Sequence, residues 1–256
     1  MGPIGQARDA FSEIYAKNTW GKGSGVGSEV EHTREYVATL AAFMRAHRIR
    51  SVVDFGCGDW QFSRTIDWNG IQYSGFDVVP ALIEANKAAF TAPNLSFHLV
   101  TGGARLPAAD LLICKDVLQH LPIVEVRRYL AIFKRLYPHM LITNDVRPEA
   151  NLNIDIHPGQ ARPLRLDLAP FRETFDVLLT WDVDAYGYCS TKQTCHLRGG
   201  SGMRPAYVTL TDKSDPPAKV AAAKRALIDI VREAIKDTPL APVARWIWRR
   251  FRPSRP

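Results

Sequence analysis

The chain has 256 residues, of which 46% are hydrophobic and 23% charged, and its formal net charge is +7. These values are ordinary for a globular protein of one large domain, and the absence of a membrane-length or signal-type apolar run leads us to expect a cytoplasmic protein. Residues 213–256 carry 11 Lys or Arg against four Asp or Glu, so the remaining chain is neutral and we expect no specific nucleic-acid partner.

The N-terminal region, residues 1–47, is predicted to form two helices around a glycine-rich lid. Amphipathic patterns predict the helices at 6–20 and 29–47. Between them, residues 20–28 contain four glycines and begin with an aromatic residue, Trp20. Functional loops often combine mobility with an aromatic anchor, so we expect a lid over a ligand site, with a plain flexible linker as the alternative.

Alternating strand and helix patterns predict a Rossmann-like α/β domain over residues 48–212. Five strands are expected at 51–55, 72–76, 95–100, 110–114 and 139–143, with helices notably at 79–90 and 123–136. Such alternation implies a mostly parallel sheet with helices on both faces. Two later strands, 174–180 and 205–210, are expected to complete a seven-stranded sheet as a terminal antiparallel hairpin.

The first predicted strand ends in the most informative motif of the chain. Asp54, Gly56 and Gly58 form Asp-x-Gly-x-Gly, which is typical of a strand that ends in a tight turn close to a ligand. Asp77 ends the next strand 23 residues later, near the ~20-residue spacing at which a carboxylate binds a ribose hydroxyl. Gln61 stands where a dinucleotide fold has its third glycine, which disfavours a nicotinamide-dependent oxidoreductase.

This pattern resembles motifs I and II of the class I S-adenosylmethionine-dependent methyltransferases. A narrower group of bacterial and eukaryotic members is similar to this chain in four segments. The similar segments are Tyr15 with Trp20–Ser28, Asp54–Trp60, Asp110–Leu121, and a looser match at Gly159, Arg162, Leu164, Pro170 and Phe171. The resemblance implies a seven-stranded methyltransferase fold and S-adenosylmethionine as the cofactor.

Ligands of such sheets bind at the carboxyl ends of the strands, so the residues there are candidates for cofactor binding. The expected cofactor contacts are Asp54, Gly56, Gly58, Asp59, Trp60, Asp77, Val78, Lys115, Trp20 and Ser24. Similar methyltransferases often have an acid after the third strand that bonds the adenine amine, but this chain has Thr101, Gly102 and Gly103 there. A hydroxyl or a backbone carbonyl is therefore expected to serve instead.

Methyl transfer to a hydroxyl needs a group that removes its proton. His120 is the candidate general base because the unperturbed pKa of histidine is ~6.5, and the alternative is a helix-capping or core histidine. Asp116 is expected to orient His120 or to hold the substrate, unless it caps the following helix. Tyr15, Asn144 and Arg162 are expected to contact the acceptor.

The favoured interpretation involves no metal, but two metal sites stay open as alternatives. Asp116, Asn144 and Asp145 offer the hard oxygen ligands that magnesium-dependent catechol-type methyltransferases use. A zinc site in a predicted polar loop would need a fourth ligand and tighter spacing. The zinc candidates are Cys189, Cys195 and His196.

The C-terminal segment, 213–256, is predicted to form an amphipathic helix at 218–236 and a basic aromatic stretch at 243–252. That stretch suits an anionic surface at the inner membrane face, or docking on the domain or on a second subunit of a homodimer. The predicted reaction is O-methylation of a small polar acceptor, such as a sugar or a glycan-linked group. The alternatives are N-methylation of a small metabolite and a non-catalytic adenosylmethionine-binding subunit.

Overall fold

The computed structural model describes residues 1–147, 151–185, 187–200 and 202–212. These residues contain four α-helices and nine strands. The helices are α1 (Pro3–Ala16), α2 (Arg34–Ala46), α3 (Pro80–Ala89) and α4 (Ile123–Leu136). The strands are β1 (Ser51–Phe55), β2 (Gln72–Asp77), β3 (Leu95–Leu99), β4 (Arg105–Pro107), β5 (Leu111–Lys115), β6 (His139–Asp145), β7 (Asp176–Ala185), β8 (Tyr188–Arg198) and β9 (Tyr207–Thr209).

Seven of the strands form one sheet in the order β3-β2-β1-β5-β6-β8-β7. The first five strands in this order, β3, β2, β1, β5 and β6, are parallel to one another. β8 runs antiparallel to both β6 and β7. β4 and β9 form a separate antiparallel pair. The predicted Rossmann-like α/β fold, with a mostly parallel seven-stranded sheet, is confirmed.

Apolar side chains cover both faces of the sheet because successive residues of a strand point to opposite sides. In β5, Leu112 and Cys114 join a core with α1 and α4, whereas Leu111 and Ile113 join a second core with α2. Strands buried on both faces have continuous apolar sequences, as β5 does. The carboxyl ends of these strands are thereby held rigidly by packing on either side.

The terminal hairpin is antiparallel, as predicted, but it is built from different residues. β7 pairs with β8, and the strand predicted at 205–210 is β9, which pairs with β4. The predicted polar loop around Cys189 was therefore wrong, since this residue belongs to β8. The polar side chains of β8 find buried partners, and the hydroxyls of Thr194 and Thr143 lie 2.8 Å apart.

The N-terminal helices are shorter or shifted relative to the prediction. α1 begins at Pro3 and ends at Ala16, and Asn18 follows it with a left-handed φ of 51°. Trp20 therefore lies beyond the helix. α2 begins at Arg34, because a short 3-10 turn at Val30–His32 precedes it.

The connection from β1 to β2 is irregular. It contains a single 3-10 turn at Ser63–Thr65, where βαβ units usually have an α-helix. Trp60 was predicted to bind the cofactor, but the structure buries it in the core, where its ring packs against Tyr73, Phe90 and Phe97. Aromatic packing fills the space that a helix would otherwise occupy.

Within the described ranges, the structure contains no helix with the length and apolarity needed to cross a bilayer. The segment 213–256, with its predicted helix at 218–236 and basic stretch at 243–252, lies outside the described residues. The division at residues 47 and 212, the cytoplasmic location, the membrane contact and the homodimer stay predictions.

Candidate active site

A cavity lies at the carboxyl ends of β1, β2 and β5. Its lining includes the predicted residues Asp54, Gly56, Gly58, Asp59, Asp77, Val78 and Lys115. Gly56 has a left-handed φ of 82°, and a Cβ at this position would lie 2.2 Å from a methyl group of Val117. The N–H groups of Gly56 and Cys57 both donate to the carbonyl of Phe76, at 2.7 and 3.1 Å. Only glycine fits this turn, which brings bare backbone to the cavity.

Asp77 is buried at the end of β2, and its carboxylate fixes the turn. One carboxylate oxygen accepts the Gly58 N–H at 3.0 Å, and the other accepts the Val79 N–H at 2.9 Å. Burial raises the pKa of Asp77 despite these hydrogen bonds. Apolar side chains line the same cavity, namely Phe76, Val78, Val100, Val117 and Leu121. The cavity thus combines a fixed carboxylate with an apolar wall.

Asp54 presents a second buried carboxyl group to the cavity. Its Oδ2 accepts the hydroxyl of Tyr73 at 2.7 Å, and Ser63 Oγ lies 3.5 Å away. Burial raises the pKa of Asp54 to about 7, against the opposing effect of the Tyr73 hydrogen bond. A cation bound in the cavity would favour the charged form of this group.

The glycine-rich segment is hydrogen-bonded to the loop after β1 through Ser24 and through the carbonyl of Lys22, which accepts from Gln61 Nε2 at 2.6 Å. Ser24 Oγ lies 2.7 Å from the hydroxyl of Tyr15 and donates to Asp59 at 2.6 Å. The carboxylate of Asp59 also accepts the N–H of Ser24 at 3.1 Å. Trp20 packs edge-on against Tyr15, with ring centroids 5.6 Å apart. The segment predicted to be a lid therefore contributes to the lining of both cavities.

A second cavity, of about 570 Å³, adjoins the first. The two cavities share Trp20, Ser24 and Asp116. The second cavity is also lined by polar side chains, which are Thr19, Lys22, Glu29, Gln119, His120, Asp145 and Lys192. A molecule in the first cavity and a polar molecule in the second would meet beside the three shared residues.

Two lysines and two aspartates form a buried chain of ion pairs that connects the cavities. The ammonium of Lys115 lies 2.5 Å from Asp116, and that of Lys192 lies 2.9 Å from Asp116 and 2.7 Å from Asp145. Burial acts to raise the pKa of Asp116, but the ammonium groups of Lys115 and Lys192 outweigh it and lower the pKa to about 2. Asp116 is therefore ionised, and it also adopts a left-handed φ of 58°.

This arrangement argues against the magnesium alternative. The Lys192 ammonium lies between the carboxylates of Asp116 and Asp145, where that alternative requires a metal ion. Asn144, the third expected ligand and a predicted acceptor contact, is buried on β6 outside the lining of both cavities. The two carboxylates already have a cation that the chain itself supplies.

His120 lines the second cavity, and the amide nitrogen of Gln119 lies 3.4 Å from its Nε2. Its Nδ1 lies 3.0 Å from the carbonyl oxygen of Gln160, so Nδ1 carries the proton and Nε2 the lone pair. Burial lowers the pKa of His120, which keeps the ring neutral at pH 7. Trp20 packs over the ring with centroids 5.0 Å apart. Gln160, rather than the predicted Asp116, orients this histidine.

Two of the predicted acceptor contacts lie elsewhere. Tyr15 lines the first cavity, not the second. Arg162 is buried outside the lining of both cavities, and its guanidinium donates to the carbonyl of Gln119 at 3.0 Å. Arg162 therefore supports the turn that carries His120 instead of facing the cavity.

The zinc alternative fails on strand geometry. Cys195 and His196 are consecutive residues of β8, so their side chains point to opposite faces of the sheet. Cys195 belongs to the core with α4, whereas His196 packs against Phe43 of α2. These two residues cannot share one ion.

No protein-family model matches the chain, and no curated protein matches it. Solved structures do match. Magnesium protoporphyrin IX methyltransferase from Synechocystis PCC 6803 with bound SAH has a TM-score of 0.53 at 17% identity, over 76% of this chain and 99% of that one. Human N-acetylserotonin methyltransferase in complex with SAM has a TM-score of 0.50 at 14% identity, over 76% of this chain and 60% of that one. The described part of the chain therefore has the fold of the class I S-adenosylmethionine-dependent methyltransferases.

Proposed function

We propose that the protein transfers a methyl group from S-adenosylmethionine to a hydroxyl of a small polar acceptor, such as a sugar or a glycan-linked group. The observation that carries the proposal is the pair of adjoining cavities. One contains the glycine turn and its carboxylates, and the other contains a neutral, oriented histidine. Trp20, Ser24 and Asp116 line both cavities, so a methyl group would pass beside them from the cofactor in one cavity to the acceptor in the other.

The residues of the first cavity fit this cofactor in their chemistry. The apolar wall with Val78 and Val100 suits an adenine ring, and Asp77 suits the hydroxyls of a ribose. Asp54 would receive the α-ammonium group, which would stabilise its charged form. The cofactor supplies the electrophilic methyl group when bound; the protein positions it and excludes water.

The second cavity fits a hydroxylated acceptor. His120 Nε2 would take the proton of the attacking hydroxyl, since Gln160 engages Nδ1 and the hydroxyl would replace the 3.4 Å contact of Nε2 with the Gln119 amide. Trp20 offers an aromatic surface, and the amide and charged groups around it would fix the orientation of a polar molecule. The ion pairs of Asp116 with the two lysines would hold the boundary between donor and acceptor in place.

The first experiment compares two aspartates with the same backbone-bonding role at opposite ends of the sheet. Asp77 accepts two backbone N–H groups at the cavity, and Asp110 accepts those of Arg50 and Ser51 at 2.8 and 2.9 Å, away from it. We expect Asp77→Ala to weaken S-adenosylhomocysteine binding about 10- to 100-fold, and Asp110→Ala to leave it unchanged, in isothermal titration calorimetry.

Equal affinities of the two variants, or no binding by the unmodified protein, would contradict the assignment of the cofactor. A second step would follow label from S-adenosylmethionine into panels of sugars and of small amines. Transfer to amines alone would favour N-methylation. Binding without any transfer would favour a non-catalytic subunit.

A further inference from the structure

A cluster of three metal-ligating side chains lies beside the second cavity, and one of them, Glu29, also belongs to the lining of that cavity. Glu31 and His32 belong to a short 3-10 turn between the glycine-rich segment and α2, and Glu29 directly precedes this turn. Each offers one ligand atom, and these atoms all lie within 4.8 Å of one another. The closest pair that involves the ring is His32 Nε2 and Glu31 Oε1, at 3.7 Å.

A second observation indicates that the cluster lacks a ligand. The Glu29 side chain is only 9% exposed, yet its Oε1 has no hydrogen-bond partner among the described residues. The same holds for the buried Nε2 of His32 within that part of the chain. Lys22 approaches the other oxygen of Glu29 at 3.5 Å, from a side chain that is 65% exposed. Buried polar atoms of this kind often mark the place of an ion.

We propose that Glu29, Glu31 and His32 bind a divalent transition-metal ion of the Zn²⁺ or Mn²⁺ class. One imidazole nitrogen with two carboxylates suits these ions, whereas Mg²⁺ and Ca²⁺ prefer oxygen ligands alone. Ligand atoms around a shared ion at ~2.1 Å stand ~3–4 Å apart, so the observed spacing of up to 4.8 Å needs a contraction of about 2 Å or less.

The backbone of the turn is already held in place for such an ion. The hydroxyl of Thr33 donates to the carbonyl of Glu29 at 2.9 Å. The indole N–H of Trp181, on β7, donates to the carbonyl of His32 at 3.0 Å. Because Glu29 also lines the second cavity, the bound ion joins the wall of that cavity to the edge of the sheet.

The test is a titration of the metal-free, full-length protein with ZnCl₂ and, separately, with MnCl₂, without cofactor. His196→Gln is the matched control, since His196 is a histidine away from the proposed metal site. It pairs with His139, with ring nitrogens 3.0 Å apart. We expect one ion per chain, about 10- to 100-fold weaker binding in Glu29→Gln and His32→Gln, and a change below about twofold in His196→Gln.

Absence of saturable binding, ligand variants that bind as tightly as the unmodified protein, or loss of binding in His196→Gln would overturn the proposal. Circular dichroism of the metal-free variants shows whether they fold. Glu31→Gln, at a side chain that is 57% exposed, gives a third ligand variant that leaves the buried part of the turn intact. Because no cofactor is present, the result does not depend on the proposed methyl transfer.

Discussion

The imidazole of His120 carries its lone pair on Nε2, where the amide nitrogen of Gln119 makes a long contact of 3.4 Å that a substrate hydroxyl would replace. Nδ1 donates to Gln160, and burial keeps the ring neutral at pH 7 because it lowers the pKa. A base of this kind stays active below the usual histidine pKa of ~6.5 and loses activity only as the pH falls through its lowered value. The lowered pKa of His120 therefore predicts that the rate falls on the acid side at a pH below ~6.5.

We expect kcat to fall on the acid side below pH ~6.5, and His120→Gln to lower kcat by about 10²- to 10⁴-fold and to remove that limb. Affinity for S-adenosylhomocysteine should change little, since the ring lines the second cavity and not the first. Turnover measured from pH 5 to 9 tests this, with the exposed His157→Gln as control. An unchanged acid limb in His120→Gln would exclude this histidine as the base.

Residues of the candidate site differ in how far their sequence context reveals them. Asp54 and the glycines after it form a local motif, because one tight turn needs all of them. Lys192 could not be found this way, since it meets Asp145 only through the antiparallel register of β6 and β8. A lysine within a run of strand-forming residues, Ser190 to Cys195, is the signal that was available.

At the scale of the elements, the glycine-rich segment, residues 20–28, is attached to the loop after β1 by a small set of hydrogen bonds. Ser24 Oγ contacts both the Tyr15 hydroxyl and the Asp59 carboxylate. Removing this hydroxyl leaves Asp59 without its shortest bond and weakens the attachment, which then depends on the Ser24 N–H and the Lys22 carbonyl. The effect should appear in cofactor retention, because Trp20, Ser24 and Ser28 of the segment line the first cavity.

We expect Ser24→Ala to weaken S-adenosylhomocysteine binding about tenfold and to increase hydrogen exchange in residues 20–28. Ser74→Ala is the matched control, because Ser74 Oγ pairs with Ser96 Oγ at 3.1 Å between β2 and β3. Calorimetry and hydrogen-exchange mass spectrometry provide the two measurements. Equal exchange in both variants would show that Ser24 does not hold the segment.

Strand existence was easier to predict than strand pairing. The parallel strands β1 and β5 are apolar runs because both faces are buried, and their sequences reveal them. β8 carries polar residues whose partners come from β6 and from the loop after β5, so its sequence resembles a surface loop. β9 was recognised but paired wrongly, since its partner β4 is three residues long and about a hundred residues away.

At the scale of the whole molecule, a histidine group marks the end of the sheet opposite the cavities. His139 begins β6 and His196 lies beside it near the end of β8, with His47 following α2. Burial, together with the neighbouring His139, lowers the pKa of His196 to about 4. Burial and His47 likewise lower the pKa of His139.

Because these pKa values are depressed in the folded state, the unfolded chain binds more protons between pH ~6.5 and ~4, and stability must fall as the pH falls through this window. We expect the free energy of unfolding to decrease from pH 7 to pH 5, and less steeply in His196→Gln. Urea unfolding at both pH values measures the slope. The exposed His157→Gln should keep the slope of the unmodified protein, and identical slopes in all three would contradict the prediction.

The short 3-10 turn at Ser63–Thr65 has a consequence for the charge of the cofactor. Between Phe55 and Gln72, all of them described residues, no α-helix points its N-terminus at the glycine turn. Such a helix end carries about half a positive charge, which attracts a pyrophosphate and would repel a sulfonium. Without it, a dinucleotide loses an attraction, while a cofactor that is itself cationic meets no opposing dipole.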